Sequence, residues 1–247
     1  MFCLASRRGW AVQSLSVLIA AHNEEMVIES TLNEIIGAID PVIAFEIYVS
    51  EDGSSDETRN VVNKMIERDS RIRLSNPGPR LGYSLALCRA INEARNEILI
   101  FLDGDGQSHC EDLIKLLPLL EENLVIVGYR APRQDSKLRL ILSRFFKGVY
   151  RSLGFPALID PSAGSVIAYK SDIAEFANQK PNLDFGFWWE FQAWRDSRKI
   201  KVLEFPVNHF QRTAGTTKVY LNRKMIWIGI THLIGLIKLK INLSRMN

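Results

Sequence analysis

The sequence predicts an α/β protein built on a mostly parallel sheet that is flanked by helices. Short apolar runs alternate with helical patterns through the first half of the chain, and each of these runs is followed by a polar turn. Such alternation is typical of βαβ units, which place parallel strands side by side and helices on both faces of the sheet. The second half is less regular, so we expect one domain with an elaborated C-terminal part.

The first two strands are predicted at 15–21 and 44–50, where short apolar runs are typical of strands buried in a sheet. Asn23 is expected to cap the helix after the first strand, because its side chain can accept hydrogen bonds from the first N–H groups of a helix. The turn at 51–58 is expected to cap the second helix through its serines and Asp56. The chain therefore begins with two βα units.

Two further strands are predicted at 72–75 and 98–102, with a helix between them at 82–94. The fourth strand, ILIFL, is the most apolar of the set and runs directly into DGDGQ at 103–107. The carboxyl ends of parallel strands share one edge of a sheet, and ligands bind at that edge in open α/β folds. We therefore expect DGDGQ to lie at a ligand site.

Two later segments predict amphipathic helices. Residues 136–153 place basic and bulky apolar side chains at helical spacing, and residues 225–243 are apolar on nearly every side with two lysines near the end. Either helix could lie in a membrane interface beside anionic head groups or pack on the protein's own core. The predicted organisation is an N-terminal extension (1–14), a main domain (15–220) and a C-terminal apolar or interfacial helix (221–247).

Composition excludes several classes of protein. The net charge is +3 over 247 residues, which is too small to indicate a nucleic-acid partner. The three cysteines are far apart and have no zinc or disulfide spacing, which favours buried free thiols in a reducing compartment. No G-x-G-x-x-G follows the first strand, which argues against a dinucleotide-dependent oxidoreductase.

Acidic turns are expected to meet at the carboxyl edge of the sheet. They carry Glu24, then Asp52, then Asp103 and Asp105, and crowded carboxylates need cations or hydrogen-bond donors nearby. Asp103, Asp105 and Gln107 make a hard oxygen-ligand set that suits Mg²⁺ or Mn²⁺ carrying a diphosphate. The alternative is that these residues only form turns and cap helices.

Four motifs in this order and spacing resemble family-two glycosyltransferases of the GT-A fold: AAHNEE at 20–25, EDGSSDET at 51–58, GYSLALCRAINEA at 82–94 and DGDGQ at 103–107. Within that family the chain looks most like the polyprenyl-phosphate sugar transferases of the dolichyl-phosphate mannose synthase type. Gln107 and the segment FPVNHFQRTAGTTK at 205–218 carry this closer resemblance.

The resemblance implies a metal-dependent, inverting transfer of a sugar from a GDP- or UDP-sugar to a polyprenyl phosphate. It implies a cytoplasmic enzyme held peripherally on the cytoplasmic face of a membrane. The implied roles are nucleotide binding by Ala21, Glu24 and Asp52, binding of Mg²⁺ or Mn²⁺ by Asp103, Asp105 and Gln107, and phosphate contact by Arg212 and Lys218. Asp105, Arg212 and Lys218 would share in catalysis, and Glu190 is the candidate for a general base.

The choice of acceptor leaves alternatives open. A sugar hydroxyl needs a positioned base, for which Glu190 is the candidate, whereas a lipid phosphate is already anionic and needs cations to hold it. A family-two enzyme acting on a hydroxyl in polysaccharide, glycolipid or glycoprotein glycan synthesis is therefore the runner-up. A nucleotidyltransferase would release pyrophosphate, and a membrane-associated nucleotide-binding scaffold would bind without transfer.

Overall fold

The structure is a computed structural model that describes residues 14–39, 43–133, 137–179, 181–184, 186–210 and 223–246. Seven strands in these residues form one sheet in the order β3-β2-β1-β4-β6-β5-β7. They are Ser14–Ala21 (β1), Ala44–Glu51 (β2), Ile72–Leu74 (β3), Ile98–Asp103 (β4), Leu124–Arg130 (β5), Ser165–Tyr169 (β6) and Lys201–Val207 (β7). The strands pair in parallel except β6, which is antiparallel to both of its neighbours. The predicted α/β fold with a mostly parallel sheet is confirmed.

Helices cover both faces of this sheet. The described helices are Ile28–Ile39 (α1), Thr58–Arg68 (α2), Tyr83–Glu93 (α3), Cys110–Ile114 (α4), Lys137–Ser152 (α5), Ala174–Ala177 (α6), Phe187–Ser197 (α7) and Arg223–Met246 (α8). Alternate residues of the strands belong to two apolar layers, one on each face of the sheet. Val17 lies in the layer under α1, α2 and α4. Leu18 lies in the layer under α3, α7 and α8. Cys88 and Cys110 are buried free thiols, as predicted, while Cys3 lies outside the described residues.

The capping role predicted for Asn23 is wrong. Helix α1 begins only at Ile28, and Asn23 adopts a left-handed backbone conformation with φ of 56°. Its Oδ1 accepts a hydrogen bond from the backbone N–H of Ser55 at 2.8 Å, and its own N–H donates to Oγ of Ser54 at 3.0 Å. Asn23 therefore ties the turn after β1 to the turn after β2, which brings both turns together at the sheet edge.

Helix α8 packs one face on the domain. Leu236, Leu239 and Leu243 are buried in the same apolar layer as α7, and a side chain at Gly235 would collide with Leu183. His232 lies between aromatic rings, and burial lowers its pKa to about 4. No helix among the described residues combines the length and the apolar character that crossing a bilayer requires.

Candidate functional site

A cleft of about 420 Å³ opens at the carboxyl edge of β1, β2 and β4. The sheet topology predicts a ligand site there, because the strand order reverses direction between β1 and β4. Five of the residues predicted from the sequence line this cleft: Ala21, Glu24, Asp52, Asp103 and Asp105. The predicted convergence of the acidic turns is thus present in the structure, whereas the role of each residue stays a prediction.

The Asp52 carboxylate is buried and holds the loop that leads into α3. Its Oδ1 accepts backbone hydrogen bonds from Leu81 at 2.5 Å and Gly82 at 3.1 Å, and its Oδ2 accepts from Gly82 at 3.0 Å. The Arg80 Nε atom lies 3.7 Å from Oδ2. Gly82 has a φ of 93°, a conformation that side chains disfavour, and it immediately precedes α3. Asp52 therefore fixes the start of α3 at the cleft, and its predicted nucleoside contact would have to share this carboxylate.

Glu51, beside Asp52, is a structural carboxylate. It accepts hydrogen bonds from the backbone of Ser54 and from the Arg59 guanidinium, whose Nη1 lies 3.1 Å away. Burial alone would raise the pKa of Glu51, but these hydrogen bonds and the Arg59 charge lower it below its ordinary value. Glu51 thus stays ionised and holds the second acidic turn in shape.

A short relay of hydrogen bonds ends on Asp103. The indole Nε1 of Trp188 donates to the Tyr83 hydroxyl at 2.9 Å, and that hydroxyl lies 3.1 Å from Oδ1 of Asp103. An indole N–H can only donate, so the hydroxyl accepts from Trp188 and has its own proton for Asp103. The relay therefore uses Oδ1 of Asp103 as its final acceptor and fixes the direction of that carboxylate oxygen.

Gly164 closes against the other side of the Asp103 carboxylate. A Cβ atom at Gly164 would lie 2.9 Å from Oδ2 and 3.0 Å from Oδ1 of Asp103. This approach follows from the topology, because antiparallel pairing of Phe101 with Val166 brings the start of β6 to the carboxyl end of β4. Only glycine at position 164 leaves the carboxylate room to keep this orientation.

The two carboxylates of DGDGQ suit a divalent cation. Burial raises the pKa of Asp103, and the neighbouring Asp105 carboxylate raises it further, while Arg130 and Arg139 oppose the shift. A divalent cation would relieve that repulsion. No cluster of three or more His, Cys, Asp or Glu residues suited to a metal occurs in the described part of the chain. The two carboxylates of Asp103 and Asp105 are oxygen donors of the kind that Mg²⁺ and Mn²⁺ prefer, and substrate phosphates and water would complete the coordination.

Gln107 joins the acidic turn to the residues that follow strand β7. Its backbone N–H donates to Oδ1 of Asp105 at 3.2 Å, and its Nε2 donates to the carbonyl of Phe210 at 3.1 Å. The Phe210 N–H returns a bond to the Gln107 carbonyl at 2.9 Å. Gln107 is not among the residues lining the cleft, so ligation of a metal by its side chain stays a prediction.

Glu190 lies on α7, outside the residues that line the cleft. Its carboxylate accepts backbone hydrogen bonds from Asn182, at 3.0 and 2.8 Å, and from Leu183 at 3.1 Å. Burial raises the pKa of Glu190, although these N–H groups and the Asn182 side chain oppose the shift. Glu190 therefore anchors residues 182 and 183, and the general-base role that the resemblance implied stays a prediction. Arg212 and Lys218 lie outside the described residues.

Sequence reasoning missed two arginines that line the cleft, Arg130 and Arg139. Arg130 ends β5 and binds the Asp160 carboxylate with two bonds of 2.7 and 2.9 Å, and it also donates to Ser162 at 2.8 Å. Burial would raise the pKa of Asp160, but Arg130 lowers it to about 2. The sequence did contain indications of both residues. The apolar run over 124–128, which is typical of a strand, ends shortly before Arg130. Arg139 interrupts the apolar face of α5.

Comparisons with known proteins agree with this geometry. The family described as "Glycosyl transferase family 2" matches residues 16–182. Glycosyltransferase AglD of Haloferax volcanii is 29% identical over 87% of this chain and 36% of its own length. An undecaprenyl-phosphate 4-deoxy-4-formamido-L-arabinose transferase of Edwardsiella ictaluri is 26% identical over 84% of this chain and 63% of its own. A dolichyl-phosphate beta-glucosyltransferase, ALG5A, of Trichomonas vaginalis is 28% identical over 59% of this chain and 47% of its own. The chain thus spans about a third to two thirds of the length of these relatives.

Solved structures share the fold. Glucosyl-3-phosphoglycerate synthase from Mycobacterium tuberculosis, solved with Mn²⁺, UDP-glucose and glycerol 3-phosphate, superposes with a TM-score of 0.69 at 17% identity, over 94% of this chain and 85% of the other. A mannosyltransferase from Pyrobaculum calidifontis, solved with GDP-Man and Mn²⁺, superposes with a TM-score of 0.59 at 18% identity, over 81% and 57%. The GT-A fold implied by the sequence motifs is confirmed.

Proposed function

Since the chain belongs to glycosyl transferase family 2 and is a glycosyltransferase, we propose that it transfers a sugar from a nucleotide-diphosphate sugar to a polyprenyl phosphate at a membrane surface. The observation that carries this choice of acceptor is the presence of Arg130 and Arg139 in the same cleft as Asp103 and Asp105. Cations beside the acidic turn would hold an anionic acceptor against the donor sugar. Two of the relatives described above are named for transfer to undecaprenyl or dolichyl phosphate, which supports the same class of acceptor.

The donor side of the cleft is proposed at the three acidic turns. Ala21, Glu24 and Asp52 would face the nucleoside, and Asp103 and Asp105 would hold Mg²⁺ or Mn²⁺ with the diphosphate. When bound, the cation would offset the charge that develops on the departing nucleoside diphosphate. The fold relatives solved with UDP-glucose or GDP-Man and Mn²⁺ support this class of donor. They leave the choice between GDP and UDP to experiment.

The chain's own residues would orient the reaction. Tyr83 and Gly164 fix the direction of the Asp103 carboxylate, and the Asp160 carboxylate fixes the guanidinium of Arg130. A phosphate oxygen of the acceptor would attack the anomeric carbon in a single displacement, which inverts that centre. A lipid phosphate is ionised near neutral pH, so this step requires no general base, in keeping with the position of Glu190 away from the cleft.

The acceptor is tested by comparing a phosphate with a hydroxyl on the same lipid. The protein is incubated with Mn²⁺, radiolabelled UDP- or GDP-sugars, and either undecaprenyl phosphate or undecaprenol in detergent. We expect organic-extractable label only with the phosphate. Equal label on undecaprenol, or transfer only to a soluble hydroxyl acceptor such as phosphoglyceric acid, would support the runner-up function instead.

The cleft arginines supply a matched pair of variants for this assay. Arg139→Gln removes a cation that lines the cleft, whereas Arg144→Gln removes an exposed cation from the same helix α5. Loss of a charge-assisted hydrogen bond costs about 1.5–3 kcal/mol, so we expect kcat/KM for the lipid phosphate to fall at least about tenfold in Arg139→Gln. Arg144→Gln should behave as the unmodified protein, and equal losses in both variants would contradict the assignment.

A further inference from the structure

Helix α8 carries an exposed row of isoleucines, which we call the outer stripe: Ile230, Ile234, Ile237 and Ile241. Their exposed fractions are 43, 47, 51 and 46%. At about 100° per residue, the four positions fall within an arc of about 60° on the helix. An apolar row of this regularity on the surface of a helix marks a surface that meets another apolar phase.

The outer stripe lies opposite the face of α8 that packs on the domain. The buried positions Leu236, Leu239 and Leu243 centre about 160° away from the stripe around the helix. Packing on the domain therefore accounts for one apolar face of α8 and leaves the other exposed. Because the inner face is fixed to the protein, any apolar phase can reach α8 only from the outer side.

Two exposed lysines border the outer stripe, one on each side. On the same projection, Lys238 lies about 40° beyond one edge of the stripe and Lys240 about 60° beyond the other. The ammonium group of Lys240 turns back onto the domain, 5.6 Å from the centre of the Phe155 ring. A border lysine such as Lys238 can extend its apolar stem along the surface and place its ammonium group at the head-group level. An apolar row bordered by the exposed cation of Lys238 complements a lipid surface that is apolar inside and anionic outside.

Helix α5, which touches α8, adds to the exposed apolar area. The rings of Phe146 on α5 and His232 on α8 lie 5.3 Å apart, so the two helices are neighbours. Ile141 and Phe145, one turn apart on α5, are 60 and 56% exposed. Arg144, between them in sequence, is exposed as well.

We propose that the outer stripe docks on an anionic phospholipid surface, with α8 lying in the interface and Lys238 meeting the head groups. The proposal deepens the function proposed above, since a polyprenyl phosphate resides in such a membrane. The segment 211–222 joins α8 to Phe210, and Phe210 is bonded to the acidic turn through Gln107.

Vesicle sedimentation tests the outer stripe. The purified chain is mixed with phosphatidylcholine vesicles, with and without phosphatidylglycerol, and the bound fraction is measured. We expect Ile234→Gln/Ile237→Gln to lower partitioning onto the anionic vesicles about tenfold or more, because two apolar side chains no longer enter the interface. The matched control is Met26→Gln/Leu85→Gln, which changes two exposed apolar side chains elsewhere and should bind as the unmodified chain does.

Charge is tested separately with Lys238→Gln, which should lower binding to the phosphatidylglycerol vesicles about fivefold and leave binding to pure phosphatidylcholine unchanged. Equal vesicle binding by the isoleucine variant and its control would overturn the proposal. So would a dimer of the unmodified chain that dissociates in Ile234→Gln/Ile237→Gln without any change in vesicle binding, because the stripe would then be a protein interface.

Transfer to detergent-dispersed undecaprenyl phosphate separates this proposal from the proposed function. A stripe variant that loses vesicle binding should keep its transfer rate in detergent. Stripe-dependent vesicle binding without transfer to any polyprenyl phosphate would keep the docking surface and refute the proposed acceptor. Thermal unfolding of each variant checks that the fold is intact.

Discussion

Replacing Tyr83 with Phe removes the hydroxyl that joins Trp188 to Asp103. The change deletes the 3.1 Å bond to Oδ1 of Asp103 and leaves the Trp188 N–H without the partner it has at 2.9 Å. A hydrogen bond to a charged group contributes about 1.5–3 kcal/mol, which corresponds to about 10–150-fold in an equilibrium or rate constant. We therefore expect kcat/KM to fall by that factor, because the Asp103 carboxylate loses its fixed direction.

The matched control for this variant is Tyr150→Phe. The Tyr150 hydroxyl is buried and donates to the carbonyl of Trp189 at 2.9 Å, but Tyr150 does not line the cleft. Both variants should lose a similar free energy of unfolding, about 1 kcal/mol or more, in urea titrations. Only Tyr83→Phe should weaken Mn²⁺ binding, measured by the paramagnetic resonance signal of the free ion. Unchanged Mn²⁺ affinity in Tyr83→Phe, or an equal loss in both variants, would refute the positioning role of Tyr83.

Three further predictions concern the same region. Gly164→Ala places a Cβ atom 2.9 Å from Oδ2 of Asp103, so Mn²⁺ affinity and transfer should both fall at least about tenfold; activity within twofold of the unmodified chain would argue against close packing there. Asp105→Asn should abolish metal-dependent transfer with the unfolding midpoint retained, and full activity would remove the metal assignment. In the folded protein the pKa of Asp160 is about 2, against an ordinary value of 3.8. The ionised carboxylate therefore stabilises the fold by about 2 kcal/mol above about pH 4, and this stabilisation is lost as the pH falls toward about 2. Urea titrations across that range should show a smaller acid-induced loss in Asp160→Asn.

The elements of the first half could be predicted because local pattern and tertiary environment agree there. The predicted strand 98–102 is observed as Ile98–Asp103, since a continuous apolar run is required of a strand covered on both faces. Asn23 shows where this agreement fails. Its sequence context is that of a helix cap, but hydrogen bonds to Ser54 and Ser55, more than 30 residues away, outweigh the local preference.

The finer chemistry of the site depends on contacts that no local pattern reports. Tyr83, Asp103 and Trp188 are joined across separations of 20 and 105 residues. Glu190 is the converse case, because the family resemblance implied a general base there, whereas the partners of its carboxylate in the structure are N–H groups of residues 182 and 183. Arg130 was not predicted because an arginine after a strand can have many roles. Only the contact with Asp160, distant in sequence, shows how its guanidinium is oriented.

The antiparallel pairing of β5 with β6 brings the two ends of the region between them close together. Gly128 pairs directly with Ser165, so the chain leaves the sheet and re-enters it at adjoining points. The intervening segment carries Arg130, Arg139 and Ser162, while the acidic turns come from residues 20–107. A segment whose two ends lie close together can be replaced with little disturbance to the rest of the fold. Grafting residues 129–163 from a relative with another acceptor, with Gly164 kept in place beside Asp103, should therefore change acceptor choice and leave donor recognition with the host.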